Sequence, residues 1–341
     1  MWSKRKRIVL MSIYKIAEIT GYSPSVVARA LRNTGYCSEK KRQHILEVAE
    51  QMNYHPNQAA KSLRMNKTKQ VLFCIPDICN PFYFEMIDGV LKVLEQHGYT
   101  AMLFPSRKSI QREKQMMERY QSHYYDGIIF VSFDFCQENI EVVRAAGVPT
   151  VLTNRYVGQR ADDVFDYVFS DHHYGMRLAV EHLVAKGCRN IAILTGDSAL
   201  QTSRERYEGY CEALRENGID VRADYLLNGD YNTEQSYQAF AAFMSTGKPV
   251  DGIVASNDLA ALGVLRYCRE HGISIPEQLK IVSFDNTEYA RITQPALTSI
   301  DLKQYDIGVA AANLLLERLE NGRTEPKNCF LQPALFERES T

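Results

Sequence analysis

Several things missing from these 341 residues narrow what the chain can do. No apolar run approaches the roughly 20 residues that a membrane-spanning helix needs. The apolar stretch 8–11, behind the basic residues 4–7, is too short for the hydrophobic segment of a secretion signal. The expectation is a cytoplasmic protein with no membrane partner. The eight cysteines, at 37, 74, 79, 136, 188, 211, 268 and 329, form no CxxC pair, which excludes the common zinc and redox motifs and fits reduced thiols. There is no GxGxxG dinucleotide loop and no phosphate-binding P-loop. Thr246-Gly247-Lys248-Pro249 lacks both the upstream glycine and the following Ser or Thr. There is no GxSxG nucleophile turn. His172 and His173 are adjacent rather than at metal-ligand spacing, and read as a surface pair. These absences predict a protein that is not an enzyme, with no catalytic residues, metal or cofactor.

What is present describes a globular chain, 45% hydrophobic and 24% charged, and too long for one compact core. Its net charge of −1 hides an asymmetry. Residues 1–69 carry fourteen Lys and Arg against four acids, a balance of +10, and the remainder carries −11. A basic head on an acidic body predicts a polyanion partner for the head.

Within the head, Ile13, Ile16, Ala17 and Ile19 are spaced as on one short helix, stopped by Gly21. Ser23 before Pro24 reads as an N-cap followed by proline in the first turn, opening a second helix over 24–32. Val27, Ala30 and Leu31 are expected to face inward, with Ser25, Val26, Arg29 and Arg32 outside. Ser38 is expected to cap a third helix running to about residue 52. Two helices joined by a glycine-containing turn, with a third across them, make a helix-turn-helix. Its second helix enters the major groove, where an arginine can grip a guanine by two bonds. Ser23 and the basic residues 40–42 would hold phosphates.

Two stretches resemble the lactose/galactose repressor (LacI/GalR) family. One is Tyr14-x-Ile-Ala-x-x-x-Gly-x-Ser-x-x-x-Val-x-Arg-x-Leu, and the other is Asn53-Tyr54-His55-Pro56-Asn57-Gln58-x-Ala-x-Ser-Leu-Arg. The resemblance implies operator DNA as a partner and a homodimer, with higher oligomers open. It implies that the second stretch forms a hinge helix on DNA, with Leu63 wedged into a minor-groove step between Ala60, Lys61 and Arg64. The expected DNA contacts are Tyr14, Ser23, Pro24, Ser25, Val26, Arg29, Arg32, Tyr36, Ser38, Tyr54, Asn57, Ala60, Lys61, Leu63 and Arg64. The chain departs from the family in its second helix. Where members usually read Thr-Val-Ser-Arg-Val-Leu-Asn, it reads Val26-Val27-Ala28-Arg29-Ala30-Leu31-Arg32. Two hydroxyls and an amide are gone and a charge is gained, so the preferred operator should differ. The family-like start falls at residues 11–13, which leaves 1–10 as an N-terminal arm.

From residue 70, strand-like runs (71–75, 101–104, 127–131, 150–153, 168–170, 190–194, 252–255 and 280–284) alternate with helices (82–97, 175–186, 204–217, 233–245, 258–271 and 303–321). That alternation predicts parallel sheets covered by helices, with ligand beyond the carboxyl ends of the strands. The resemblance implies an α/β periplasmic-binding-protein-like core of two Rossmann-like lobes, behind the all-α helix-turn-helix domain. The expected domains are 1–56 for the head, 57–69 for the hinge helix and linker, and 70–341 for the core. Lobe 1 would take about 70–170 and 301–329, and lobe 2 about 171–300 and 330–341, with three crossovers near Ser170, Ile300 and Phe330.

The candidate effector residues lie just past strand ends. Phe82 and Tyr83 offer aromatic faces to a sugar, and Asn154 offers an amide where the family often has Asp. Arg204 resembles the family's sugar-clamping arginine, with Arg206 read as structural. Tyr231 matches a stacking aromatic, Asn257 a ligand contact beside an N-capping Asp258, and Asp285 the hydroxyl-binding aspartate. The function implied is a repressor of carbohydrate genes controlled by a small molecule, a sugar or sugar phosphate. A sugar-binding receptor for transport would share the body, but it would lack the basic head and carry a secretion signal. A carbohydrate-acting enzyme would need a recognisable set of cleft carboxylates or a nucleophile. A family member governed by a partner protein is the other alternative.

Overall fold

The computed structural model describes residues 13–54, 67–118, 124–131, 137–154, 165–196, 198 and 200–341. They fall into two compact units, Met1–Asn66 and Lys67–Thr341.

The first unit contains α1 (Ile13–Thr20), α2 (Pro24–Arg32) and α3 (Glu39–Gln51). Its core is Ile16, Ala17, Val27, Ala30, Ile45, Val48 and Ala49. Gly21 takes the left-handed conformation at φ +70° and closes α1 through its N–H on the Ala17 carbonyl. Ser23 and Ser38 hold the N-cap positions, but neither side chain makes the capping bond; the Ser23 hydroxyl meets that of Ser25 at 3.0 Å. Two facing expectations fail. Ile19 is 52% exposed, because Ile16, Ala17 and Thr20 define the inward face of α1. Val26 is half-buried against the head core rather than free.

The second unit contains two sheets of six strands each among the described residues. In the first sheet, β1 (Gln70–Ile75) pairs with β2 (Thr100–Pro105) and β3 (Gly127–Phe130). The order continues through β4 (Thr150–Leu152) and β5 (Asp166–Ser170) to β11 (Asn328–Leu331), all parallel. In the second, β6 (Ile191–Thr195) pairs with β7 (Leu226–Asn228) and β8 (Gly252–Ala255). It continues through β9 (Lys280–Phe284) and β10 (Thr298–Asp301) to β12 (Ala334–Phe336), which alone runs antiparallel. The chain crosses from the first sheet to the second after Ser170, returns after Asp301, and crosses again between Leu331 and Ala334.

The central strands β1, β3, β6, β8 and β9 are buried along nearly their whole length, as strands covered on both faces must be. The covering helices are α4 (Phe82–Gln96), α5 (Ile110–Glu118), α6 (Gln137–Ala146) and α12 (Gln304–Asn321) in the first lobe. In the second they are α7 (His172–Ala185), α8 (Gln201–Glu216), α9 (Thr233–Met244), α10 (Asp258–His271) and the short α11 (Glu288–Ile292). A glycine on each partner lets α4 and α12 approach backbone to backbone. A Cβ on Gly89 would meet the Tyr305 carbonyl oxygen at 2.4 Å, and one on Gly308 the Met86 oxygen at 2.2 Å. Phe82 packs on cores of both lobes. No described helix is long and apolar enough to cross a membrane.

Candidate functional site

In each sheet the chain winds first to one side and then to the other, leaving a crevice at the carboxyl ends of β1 and β3 and of β6 and β8. Loops from both sets of strand ends enclose a cavity of about 350 Å³. The first lobe contributes Asn80, Phe82 and Tyr83 after β1, Thr153 and Asn154 after β4, and Ser170 at the end of β5. The second contributes His172, Arg206, Tyr231 after β7, Asn257 after β8 and Asp285 after β9. Of the seven effector residues expected from sequence, six line this cavity and Arg204 does not.

Helix phase explains the exception. Ser203, Arg206, Gly209 and Tyr210 form the buried face of α8, whereas Arg204 is exposed and donates to the Ser198 carbonyl at 3.2 Å. Arg206, read from sequence as structural, is the arginine in the wall. Its guanidinium lies 4.7 Å from the Phe284 ring centroid and 5.7 Å from that of Tyr231. One terminal nitrogen donates to the Ser256 carbonyl, and the other sits 3.2 Å from His172 Nδ1. An arginine only donates, so Nδ1 accepts and the proton of the neutral imidazole sits on Nε2. Burial, reinforced by the Arg206 charge, holds His172 well below the usual histidine range. His172 is therefore a buried part of the wall and not the surface residue expected. His173 does stay at the surface, 2.8 Å from Glu212.

Asp285 sits at the end of β9 with φ +94°, a backbone conformation unusual for a side chain of this type. Its N–H donates to the Ile300 carbonyl at 2.8 Å, and the Gln304 amide donates to its carbonyl. The carboxyl makes no hydrogen bond among the described residues. Burial pushes it up to about 8, against the pull of Arg206 and with an added push from Asp258. Burial and the nearby carboxylates likewise raise the Tyr83 phenol. Asn257 is the N-cap of α10: Oδ1 accepts from the Ala260 N–H at 2.8 Å, and Nδ2 donates to the Tyr231 carbonyl at 3.2 Å. Asp258 was expected in that capping role. Instead it is buried among Ser283, Thr287 and Ser299, which donate to it at 2.5–3.1 Å. Tyr231, at φ +56°, places its hydroxyl 2.8 Å from that of Ser203 and its ring against Gly196.

On the first unit, Tyr14 and Tyr36 are 75% and 88% exposed. Ser23, Pro24, Ser25, Arg29 and Arg32 are also exposed, and the two arginines make no ion pair among the described residues. Ser38 and Tyr54 are half-buried, Tyr54 against the head core. Asn57, Ala60, Lys61, Leu63 and Arg64, with the whole expected hinge helix, lie outside the described residues.

Residues 12–57 match the model of the lacI family of bacterial regulatory proteins, and residues 180–341 match that of a periplasmic binding protein-like domain. The chain thus carries a lacI-family helix-turn-helix domain and a periplasmic-binding-protein-like domain. Among LacI-family relatives, it is 29% identical to the ribose operon repressor of Halalkalibacterium halodurans, over 97% of each protein. The solved complex of the transcriptional regulator CelR with cellobiose is 26% identical, with a TM-score of 0.75 over 97% of this chain and 100% of that one. The Lac repressor dimer bound to operator and the anti-inducer ONPF, 23% identical, shares the fold at a TM-score of 0.87 over 97% of this chain and 99% of that one. The LacI-family fold is thus a helix-turn-helix unit followed by a two-lobed α/β core. Sequence reasoning missed Arg206 and His172 within it. The signal for Arg206 was the i, i+3 spacing from Ser203 to Arg206 to Gly209, which marks one helix face.

Proposed function

We propose that this chain is a dimeric repressor whose operator affinity is set by a sugar held between the lobes of the core. The carrying observation is the cavity itself. It places a carboxyl (Asp285), a guanidinium (Arg206), two amides (Asn154 and Asn257) and aromatic rings (Phe82, Tyr83 and Tyr231) around one volume of about 350 Å³. Planar polar groups that fix hydroxyls, with aromatic faces for C–H surfaces, are what a sugar requires. The cellobiose in the CelR relative and the ribose in the other relative's name support the same class.

Residues 1–56 form the DNA-reading head in this proposal, 57–69 the linker and hinge, and 70–341 the ligand-binding core. Arg29 and Arg32 on α2 read bases, Leu63 enters the minor groove, and Tyr14, Ser23, Pro24, Ser25, Val26, Tyr36, Ser38, Tyr54, Asn57, Ala60, Lys61 and Arg64 complete the contact. Ligand binding across the crevice stabilises one arrangement of the lobes and thereby biases the heads of the dimer. The dimer surface takes in α4 and α11. Phe84 and Ile292 are 53% and 65% exposed there, and Glu85 and Arg291 form an ion pair at 3.3 Å between the two helices. Such a protein works on the chromosome, in the cytoplasm, and performs no turnover.

Selection of binding sequences from a random DNA pool tests this. The full chain should enrich a near-palindrome, and a chain lacking residues 1–69 should enrich nothing. Enrichment by the truncated chain overturns the reading.

A further inference from the structure

One carboxylate holds the last residues of the linker to the first lobe. Asp126 Oδ1 accepts from the Thr68 backbone N–H at 2.7 Å and from the Thr68 hydroxyl at 2.8 Å. Its Oδ2 accepts from the Lys69 N–H at 2.9 Å. The same Thr68 oxygen accepts from the Gln70 N–H at 3.1 Å, and the Asp126 N–H donates to the Gln70 carbonyl at 2.8 Å. Asp126 thus closes a ring around the three residues through which the chain enters β1.

Lys69, inside this ring, has φ +57°. A side-chain-bearing residue takes that conformation rarely, and keeps it where the surroundings over-determine it. Here they do. The Lys69 ammonium lies 3.1 Å from Glu320 and 3.8 Å from the Tyr99 ring centroid. Glu320 is itself 3.0 Å from His97, and the Lys67 ammonium donates to the Leu319 carbonyl at 3.1 Å. Every partner belongs to the first lobe. The β1 ladder reaches this segment only at the Lys69 carbonyl, which accepts from the Thr100 N–H at 2.9 Å, so it does not account for the bonds made by the Thr68 and Lys69 N–H groups. They fix where, and in which direction, the chain leaves the core.

We infer that Asp126 is a positioning residue for operator binding: by clamping Thr68 and Lys69 it sets the exit of each linker, and so the spacing at which the two heads of a dimer meet their half-sites. This rests on the repressor reading above. Specific binding needs both heads at fixed separation, so a loosened exit adds freedom that must be lost on the operator. Non-specific binding is carried by charge and makes no such demand.

The test uses full-length protein and a palindrome selected by the wild type. Asp126→Asn and Thr68→Val should each weaken operator binding by about tenfold, while binding to an unrelated duplex stays within about twofold. Thr68→Ser, which keeps the hydroxyl, should behave as wild type. Inserting one base pair between the half-sites should penalise the wild type more than Asp126→Asn. The inference is overturned if both weakening variants keep wild-type operator affinity, or if operator and unrelated duplex weaken together. A pool from which the wild type selects nothing overturns the repressor reading, and this inference with it.

Discussion

Asp285 is held in an environment that costs stability and gives the cavity a polar group free to engage a ligand. In the unfolded chain its carboxyl ionises near the ordinary carboxylate value, and in the folded protein near 8. Between those values the folded form holds one more proton, so this group makes stability fall as pH rises from about 4 to 8. Asp285→Asn should therefore raise the melting temperature, by an amount worth a few kcal/mol at pH 8 and little at pH 4. Thermal melts at the two pH values check this. A variant that melts like wild type at pH 8 contradicts it. Asp285→Ala should abolish the melting-temperature rise given by the sugar that most stabilises the wild type. An intact rise would remove Asp285 from the site. Asp285 and Asn257 were legible in sequence because each lies just past the end of an apolar strand and matches a position of the family the chain resembles. Arg206 and His172 were not. Two arginines two positions apart on α8 differ only in helix phase, and the burial of His172 beside Arg206 comes from a contact between residues 34 positions apart.

Helix α2 and the α4–α12 crossing carry the next predictions. Arg29 is exposed on α2, with no ion pair among the described residues and its aliphatic stem near Gly35. Arg29→Ala should weaken the selected operator by about 1–3 kcal/mol and relax the preference at one base pair, read by competition with single-base variants. Equal weakening on every sequence would make Arg29 a phosphate contact instead. At the crossing, Gly89→Ala places a methyl 2.4 Å from the Tyr305 carbonyl oxygen. It should destabilise the core by about 1–3 kcal/mol, checked by denaturant unfolding. The long helices and the central strands could be read from periodicity. Short β7, β11 and β12 escaped because three or four residues at a sheet margin carry little pattern, and β10 because Thr298-Ser299-Ile300-Asp301 is mostly polar. Ile19 misled for a related reason: in an eight-residue helix, two phases fit the same apolar spacing.

The architecture of the whole molecule follows from two patterns, a basic helical head and alternating strands and helices. Which strands share a sheet does not. Helix α12 comes after the last strand of the second lobe's parallel run, yet it packs on α4 more than 200 positions earlier, because facing glycines let those two backbones close. In the proposed repressor the two units act as one switch. Such a switch requires coupling between the cavity and the operator, and coupling between sites is typically worth about 1–3 kcal/mol, or about 5- to 150-fold in affinity. The decisive measurement is operator affinity of the full-length protein with and without a saturating sugar, in wild type and in Arg206→Ala. The sugar should change wild-type affinity within that range and leave the variant unmoved. Wild-type affinity indifferent to a sugar that demonstrably binds the core, or a variant that responds as fully as the wild type, would contradict it.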